Sequence, residues 1–166
     1  MNDDKILPAD EVWNRPICLS GGITMAKVLS INTSEKTGVI KIPVEQAEFI
    51  PGGIKGDAHC GLDEIKQVSL LADESVDKMR AMGLNLDVGV FAENITTQGI
   101  ELKTLPIGTK LRIGATLQEV SRIGKECHHG CAIKQQTGTC VMPTEGIFTR
   151  VLEGGIVKAG DPIKIL

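Results

Sequence analysis

The segment Arg122–Ile123–Gly124–Lys125–Glu126–Cys127–His128–His129–Gly130–Cys131–Ala132–Ile133–Lys134 concentrates reactive side chains. It holds two thiols, two imidazoles and three basic residues, with Glu126 the only acid. Cationic neighbours favour the thiolate, which is the nucleophilic form of cysteine. Gly124 and Gly130 let the backbone turn sharply around Cys127, on a loop that follows a strand and can meet a substrate. Two other readings stay open. Cys127 can be a buried structural cysteine, since free thiols are often buried. Alternatively Cys127, His128 or His129, Cys131 and Cys140 can supply a tetrahedral zinc site. The C-x3-C-x8-C spacing lacks the paired C-x2-C of common zinc modules, and no C-x-x-C-H haem motif is present.

A second cluster is Gly56–Asp57–Ala58–His59–Cys60–Gly61. A short acid and an imidazole in a glycine-bounded loop can orient a ligand or tune a proton. The alternative is an Asx-type turn with a surface imidazole. Lys55 and Lys66 flank the loop and add positive potential for an anion. Asp63, Glu64 and Asp73 form no carboxylate pair. The glycine pairs do not open a helix after a strand, as a phosphate loop or dinucleotide fingerprint would, and no serine sits in a G-x-S-x-G context.

The elements that must position these groups read as short strands. Residues 1–22 form a leader broken by Pro8, Pro16 and Gly21–Gly22, and residues 23–166 form one domain. Met25–Ile31 and Gly38–Ile42 read as a hairpin, followed by Val44–Ile50 and a turn at Pro51–Gly52–Gly53. Further strands are Gln67–Leu71, Asn94–Thr97, Lys110–Ile113, Ala115–Val120, Ile147–Leu152, Ile156–Lys158 and Ile163–Ile165. One helix is expected over 73–82, with Asp73 as N-cap and Gly83 at the left-handed stop position, and a short helical segment after Cys131. The expected interior is Val28, Ile31, Val68, Leu70, Leu111, Val120, Ile147 and Val151. Many strands with glycine turns indicate a mostly β barrel or sandwich.

Composition excludes several classes. The 166 residues carry 18 basic and 21 acidic side chains, net −3, which disfavours tracking a nucleic-acid backbone. Aromatics are 2%, too few for a base-stacking platform. No apolar run approaches about 20 residues, so no membrane span is expected. The acidic start Met1–Asn2–Asp3–Asp4 lacks the apolar core of a secretory signal. Five cysteines, an odd number, suit reduced thiols in the cytoplasm.

Taken in order, several stretches resemble the MOSC domain, the C-terminal domain of molybdenum cofactor sulfurases, in its small bacterial form. They are Gly56–Asp57–Ala58–His59, Gln67–Leu71, Phe91–Ala92–Glu93–Asn94–Ile95–Thr96, Gly108–Gly114, Glu119–Val120 with the Cys127 loop, and Gly146–Gly155 through Gly160–Asp161. The resemblance implies a distorted closed β-barrel with one or two short helices. It implies a catalytic Cys127 that carries sulfur as a persulfide, as a sulfurtransferase would. It also implies binding of a molybdenum or tungsten pterin cofactor near Asp57, His59 and Lys125, and the positive charge an anionic pterin needs adds Arg122, His128 and Lys134 as candidate binding residues. A cysteine desulfurase and molybdopterin-pathway or molybdoenzyme proteins would be the partners. Pyridoxal phosphate belongs to a desulfurase domain of the larger fusions, for which this chain has no room. Some relatives instead reduce N-hydroxylated compounds. Two departures stand out. Ala92 occupies a place where the family often has glycine. Cys131 and Cys140 are not general features, leaving a resolving thiol or a metal set of Cys127, His129, Cys131 and Cys140. The shared-site expectation is that Asp57–His59 and Cys127–His129 line one cleft at the barrel mouth.

Overall fold

The structure, a computed structural model, describes residues 25–126 and 132–166, with the backbone of 18–19 and 22–23. Its strands are β1 (Cys18–Leu19), β2 (Gly22–Ile23), β3 (Lys27–Thr33), β4 (Ile42–Val44), β5 (Gln46–Ile50), β6 (Gly53–Ile54), β7 (Val68–Ala72), β8 (Ile95–Gln98), β9 (Lys110–Ile113), β10 (Thr116–Ile123), β11 (Ile147–Glu153), β12 (Gly155–Lys158) and β13 (Ile163–Ile165). Helices α1 (Asp73–Arg80), α2 (Ala132–Thr137) and α3 (Met142–Glu145) and a 3-10 turn at Leu102–Thr104 complete the elements. The β1–β2 pairing straddles the boundary expected at residue 22.

The principal sheet has eight strands in the order β13-β9-β10-β11-β7-β8-β3-β4, and β12-β5-β6 form a second sheet. The chain is mostly β, as expected. A closed barrel is not found: β13 and β4 are the terminal strands of an open sheet. The sheet does curl, because Lys27 bridges Pro162 and Ile163 N donates to the Ala26 carbonyl. This bridge, with hydrogen bonds from Val28 N to Asp161 O and from Gly160 N to Val28 O, brings the β13 end back to β3 without a continuous ladder. Sheet pairings are antiparallel except β7 with β8, which are parallel. Parallel strands need a crossover, and α1 supplies it.

All eight expected interior residues lie in one buried apolar cluster, joined by Phe49, Ile54, Ile95 and Val157. Strand β7 is buried along its whole length. Side chains alternate across a strand, so Val68, Leu70 and Ala72 enter this cluster while Ser69 and Leu71 face the other way. Leu71 meets a second cluster formed by Val76 and Met79 of α1 with Phe91, Val141 and Met142.

Several local expectations change. The helix runs Asp73–Arg80, two residues short of 82, and its N-cap is Ala72 with no side-chain cap bond. Asp73 instead turns its carboxylate to Arg80. Gly83 takes the expected left-handed conformation, with φ +90. The second strand starts at Ile42, not Gly38, because Lys41 turns inward and its N–H bonds the Gly89 carbonyl rather than a ladder partner. The segment after Cys131 is helical, as expected; α3 was not anticipated.

Candidate functional site

Between the loops at 57–66 and 124–126 lies an open cleft of about 330 Å³. Its floor is Ser69 of β7 and Phe148 of β11, which are ladder partners. Their neighbours Val68, Leu70 and Ile147 point into the main cluster, so the cleft lies on the outer face of the sheet. The expected site at a barrel mouth is corrected accordingly. His59, Leu62, Asp63 and Lys66 form one wall, and Lys125 and Glu126 the other. The Ser121 hydroxyl donates to the Ile65 carbonyl and ties the two walls together.

Asp57 organises the first wall. Its Oδ1 accepts from Lys41 Nζ at 2.7 Å and from the Ser34 N–H at 3.0 Å, and its Oδ2 accepts from the His59 N–H at 3.1 Å. Lys41 Nζ also donates to Ser34 Oγ at 3.1 Å and lies 3.2 Å from His59 Nδ1. The Lys41 and Asp57 side chains are each 1% exposed, whereas that of His59 is 33% exposed. Burial works to raise the Asp57 pKa. The nearby His59 ring, the Lys41 ammonium and the N–H groups of Ser34 and His59 outweigh it and hold the carboxyl well below the usual carboxylate range. The bond to the His59 N–H is an Asx-type turn, and it sets Asp57 beside His59, which lines the cleft. Asp63 makes a similar turn, accepting from the N–H groups of Ile65 and Lys66, which lowers its pKa.

Behind the cleft, the segment Gly89–Asn94 is a buried polar brace. Asn94 Oδ1 accepts from Ser69 N at 3.1 Å and Ser69 Oγ at 3.2 Å. Glu93 accepts from Gly89 N, Phe91 N and Thr96 Oγ1. Burial pushes the Glu93 carboxyl up, against these donors. Gly89, at φ +81, passes so close to Lys41 that a Cβ there would overlap the Lys41 carbonyl oxygen. Ala92 lines the cleft at φ +58, the one left-handed non-glycine among the described residues. That explains physically why glycine suits this position.

The second wall is set by Gly124, at φ +83, where a Cβ would overlap the Pro143 carbonyl oxygen. Gly124 N donates to Gly146 O at 2.7 Å and Lys125 N to Met142 O at 3.2 Å, so α3 anchors the chain as it leaves β10. Cys127, His128, His129 and Cys131 lie outside the described residues. Of the other expected residues, His59 and Lys125 meet in the cleft and Asp57 supports it. Arg122 does not line it; its guanidinium pairs with Glu126 at 3.1 Å. Lys134 sits exposed on α2, away from the cleft lining. Cys140 packs against the second apolar cluster. Among the described residues no group of three metal-ligating side chains occurs, and no helix is long and apolar enough to cross a membrane.

Sequence reasoning missed Lys41, Ser69, Asn94 and Phe148 as site residues. For Lys41 a signal existed: a lone lysine between Ile40 and Ile42 in an extended run. Ile40 is 62% and Ile42 68% exposed while Lys41 is 2% exposed, an inverted pattern.

The chain's fold is similar to that of the YuaD protein from Bacillus subtilis, with TM-score 0.73 and 17% identity, covering 86% of this chain and 96% of that one. It is also similar to YiiM from Geobacillus stearothermophilus, with TM-score 0.65, 21% identity and coverage of 85% and 75%. YiiM from Escherichia coli gives TM-score 0.60, 19% identity and coverage of 86% and 70%. No curated protein sequence matches the chain. The family model of the MOSC domain matches residues 55–164, a span that contains the cleft, both of its walls and Cys127, and the chain belongs to the MOSC domain family.

Proposed function

We propose that this protein carries sulfur as a persulfide on Cys127 and handles a molybdenum or tungsten pterin cofactor as its substrate. One observation carries the reading: His59 and the Lys125–Glu126 pair, far apart in sequence, line the same cleft. Cys127 follows Glu126 directly in the sequence. The family match over residues 55–164 supports the same assignment. The cleft also fits an anionic, flat ligand. Lys66, Lys125 and His59 offer positive charge or donors, Phe148 offers a ring face, and Ser69 and Asn94 add polar groups. The two acids there are turned to other partners, Asp63 to backbone N–H groups and Glu126 to Arg122.

Loading is a thiol exchange. The Cys127 thiolate attacks the terminal sulfur of a desulfurase persulfide, a new S–S bond forms, and the desulfurase cysteine leaves as thiolate. Delivery of that sulfur as sulfide consumes two electrons, which a dithiol reductant supplies. This chemistry suits the reducing cytoplasm, with residues 23–166 acting as one domain behind a leader of 1–22. Incubation with a cysteine desulfurase and sulfur-labelled cysteine, followed by peptide mapping, tests the proposal. Label on Cys127 is expected. Label on Cys131 or Cys140 with Cys127 unmodified overturns the assignment.

A further inference from the structure

We propose that Lys41 is a positioning residue that fixes the tautomer of His59, so that the ring presents an Nε2–H donor to the cleft. A lysine ammonium has three protons to donate and no lone pair to accept. Around Lys41 Nζ stand three acceptors: Asp57 Oδ1 at 2.7 Å, Ser34 Oγ at 3.1 Å and His59 Nδ1 at 3.2 Å. Donors and acceptors match one to one. Nδ1 therefore accepts, and a neutral imidazole in that position carries its proton on Nε2. The competing arrangement, Nδ1–H donating to Asp57 Oδ2, would span 3.6 Å, too long for a hydrogen bond. That oxygen already accepts from the His59 backbone at 3.1 Å.

Lys41 is held for this task from its main chain as well. Its N–H bonds the Gly89 carbonyl at 2.9 Å, and only a glycine at 89 leaves room for its own carbonyl. Burial energetics alone would put Ile40 and Ile42 inside and the lysine outside. The chain does the reverse. The Nδ1 edge of His59 faces buried groups, and the ring lines the cleft, so Nε2 is the nitrogen left to a ligand. As a donor, it recognises an acceptor such as an anionic sulfur or oxygen, rather than removing a proton. This inference leans on the proposed function only for the identity of that acceptor.

Nitrogen-15 NMR of the imidazole side chains at about pH 8.5, above the ordinary histidine range, reads the tautomer. The chain has three histidines, and His59→Gln assigns the signal. The expected wild-type pattern is a protonated Nε2 and an unprotonated Nδ1. In Lys41→Met, Asp57 Oδ2 becomes the partner nearest to Nδ1, and the pattern should reverse to Nδ1–H. An Nδ1–H tautomer in the wild type overturns the proposal, as does a folded Lys41→Met protein with an unchanged His59 pattern. Should Lys41→Met fail to fold, the wild-type spectrum decides alone. The outcome is separable from sulfur loading: a wrong tautomer with label on Cys127 sinks only this inference, and the right tautomer without label sinks only the proposed function.

Discussion

Asp57 shows how one side chain can serve structure and site together. Its buried ion pair with Lys41 ties the 57–59 turn of one cleft wall to the segment at 34–41, and removing one partner strands a buried charge. Asp57→Asn should therefore cost about 3–5 kcal/mol in urea unfolding. The pH dependence follows from the direction of the shift. The folded pKa is depressed below the unfolded value of about 3.9, so the stabilisation is complete above that value and fades as pH falls below it. A Lys41→Met/Asp57→Asn double variant should lose less stability than the wild type between about pH 5 and about pH 3, as read from unfolding midpoints. Equal losses would contradict the pair's role. Ala92 offers the opposite case. A left-handed alanine carries about 1–2 kcal/mol of strain, and glycine adds about 0.4–1 kcal/mol of unfolded-state entropy. Ala92→Gly should thus stabilise the protein by up to about 1 kcal/mol in the same unfolding assay.

Two tight backbone passages set the walls of the cleft. Gly124 lets β10 run directly onto α3, and Gly89 lets the polar brace press against Lys41. Gly124→Ala forces a left-handed alanine and an overlap with Pro143. The expected loss is at least about 1–2 kcal/mol in thermal or urea unfolding, with slower labelling of Cys127 as its approach is displaced. Unchanged stability and labelling would show that the passage is not needed. Much of this level was legible in the sequence. The strands at 68–72, 110–113, 116–123 and 147–153 were visible as apolar runs bounded by glycines and turn residues. The strand at 42–44 was misplaced because its alternation is inverted: Ile40 and Ile42 are exposed and Lys41 is buried. Hydrophobic periodicity assigns faces by burial, and a buried ion pair defeats it. The Asp73 cap failed for a related reason, since its carboxylate is engaged by Arg80, about two turns along the same helix face.

Across the whole molecule, one core supports a site on the outside of the sheet. Phe49 is fully buried where the second sheet meets that core, and Phe49→Ala should cost about 3–5 kcal/mol in equilibrium unfolding. The eight core residues were legible because each sits in a simple apolar run. The open sheet and the outer-face cleft were not, because the parallel β7–β8 pairing and the curl made by the Lys27–Pro162 bridge depend on contacts between distant segments. The same holds for the meeting of His59 with Lys125, which the resemblance suggested and spacing alone could not supply. Whether Cys127 works in that cleft is answered by alkylating the protein with iodoacetamide, with and without the pterin cofactor, and mapping the modified cysteines by mass spectrometry. The account expects the cofactor to slow modification of Cys127 by about tenfold, to leave Cys140 unaffected, and to lose its protective effect in His59→Gln. Equal modification of Cys127 with and without cofactor would contradict it.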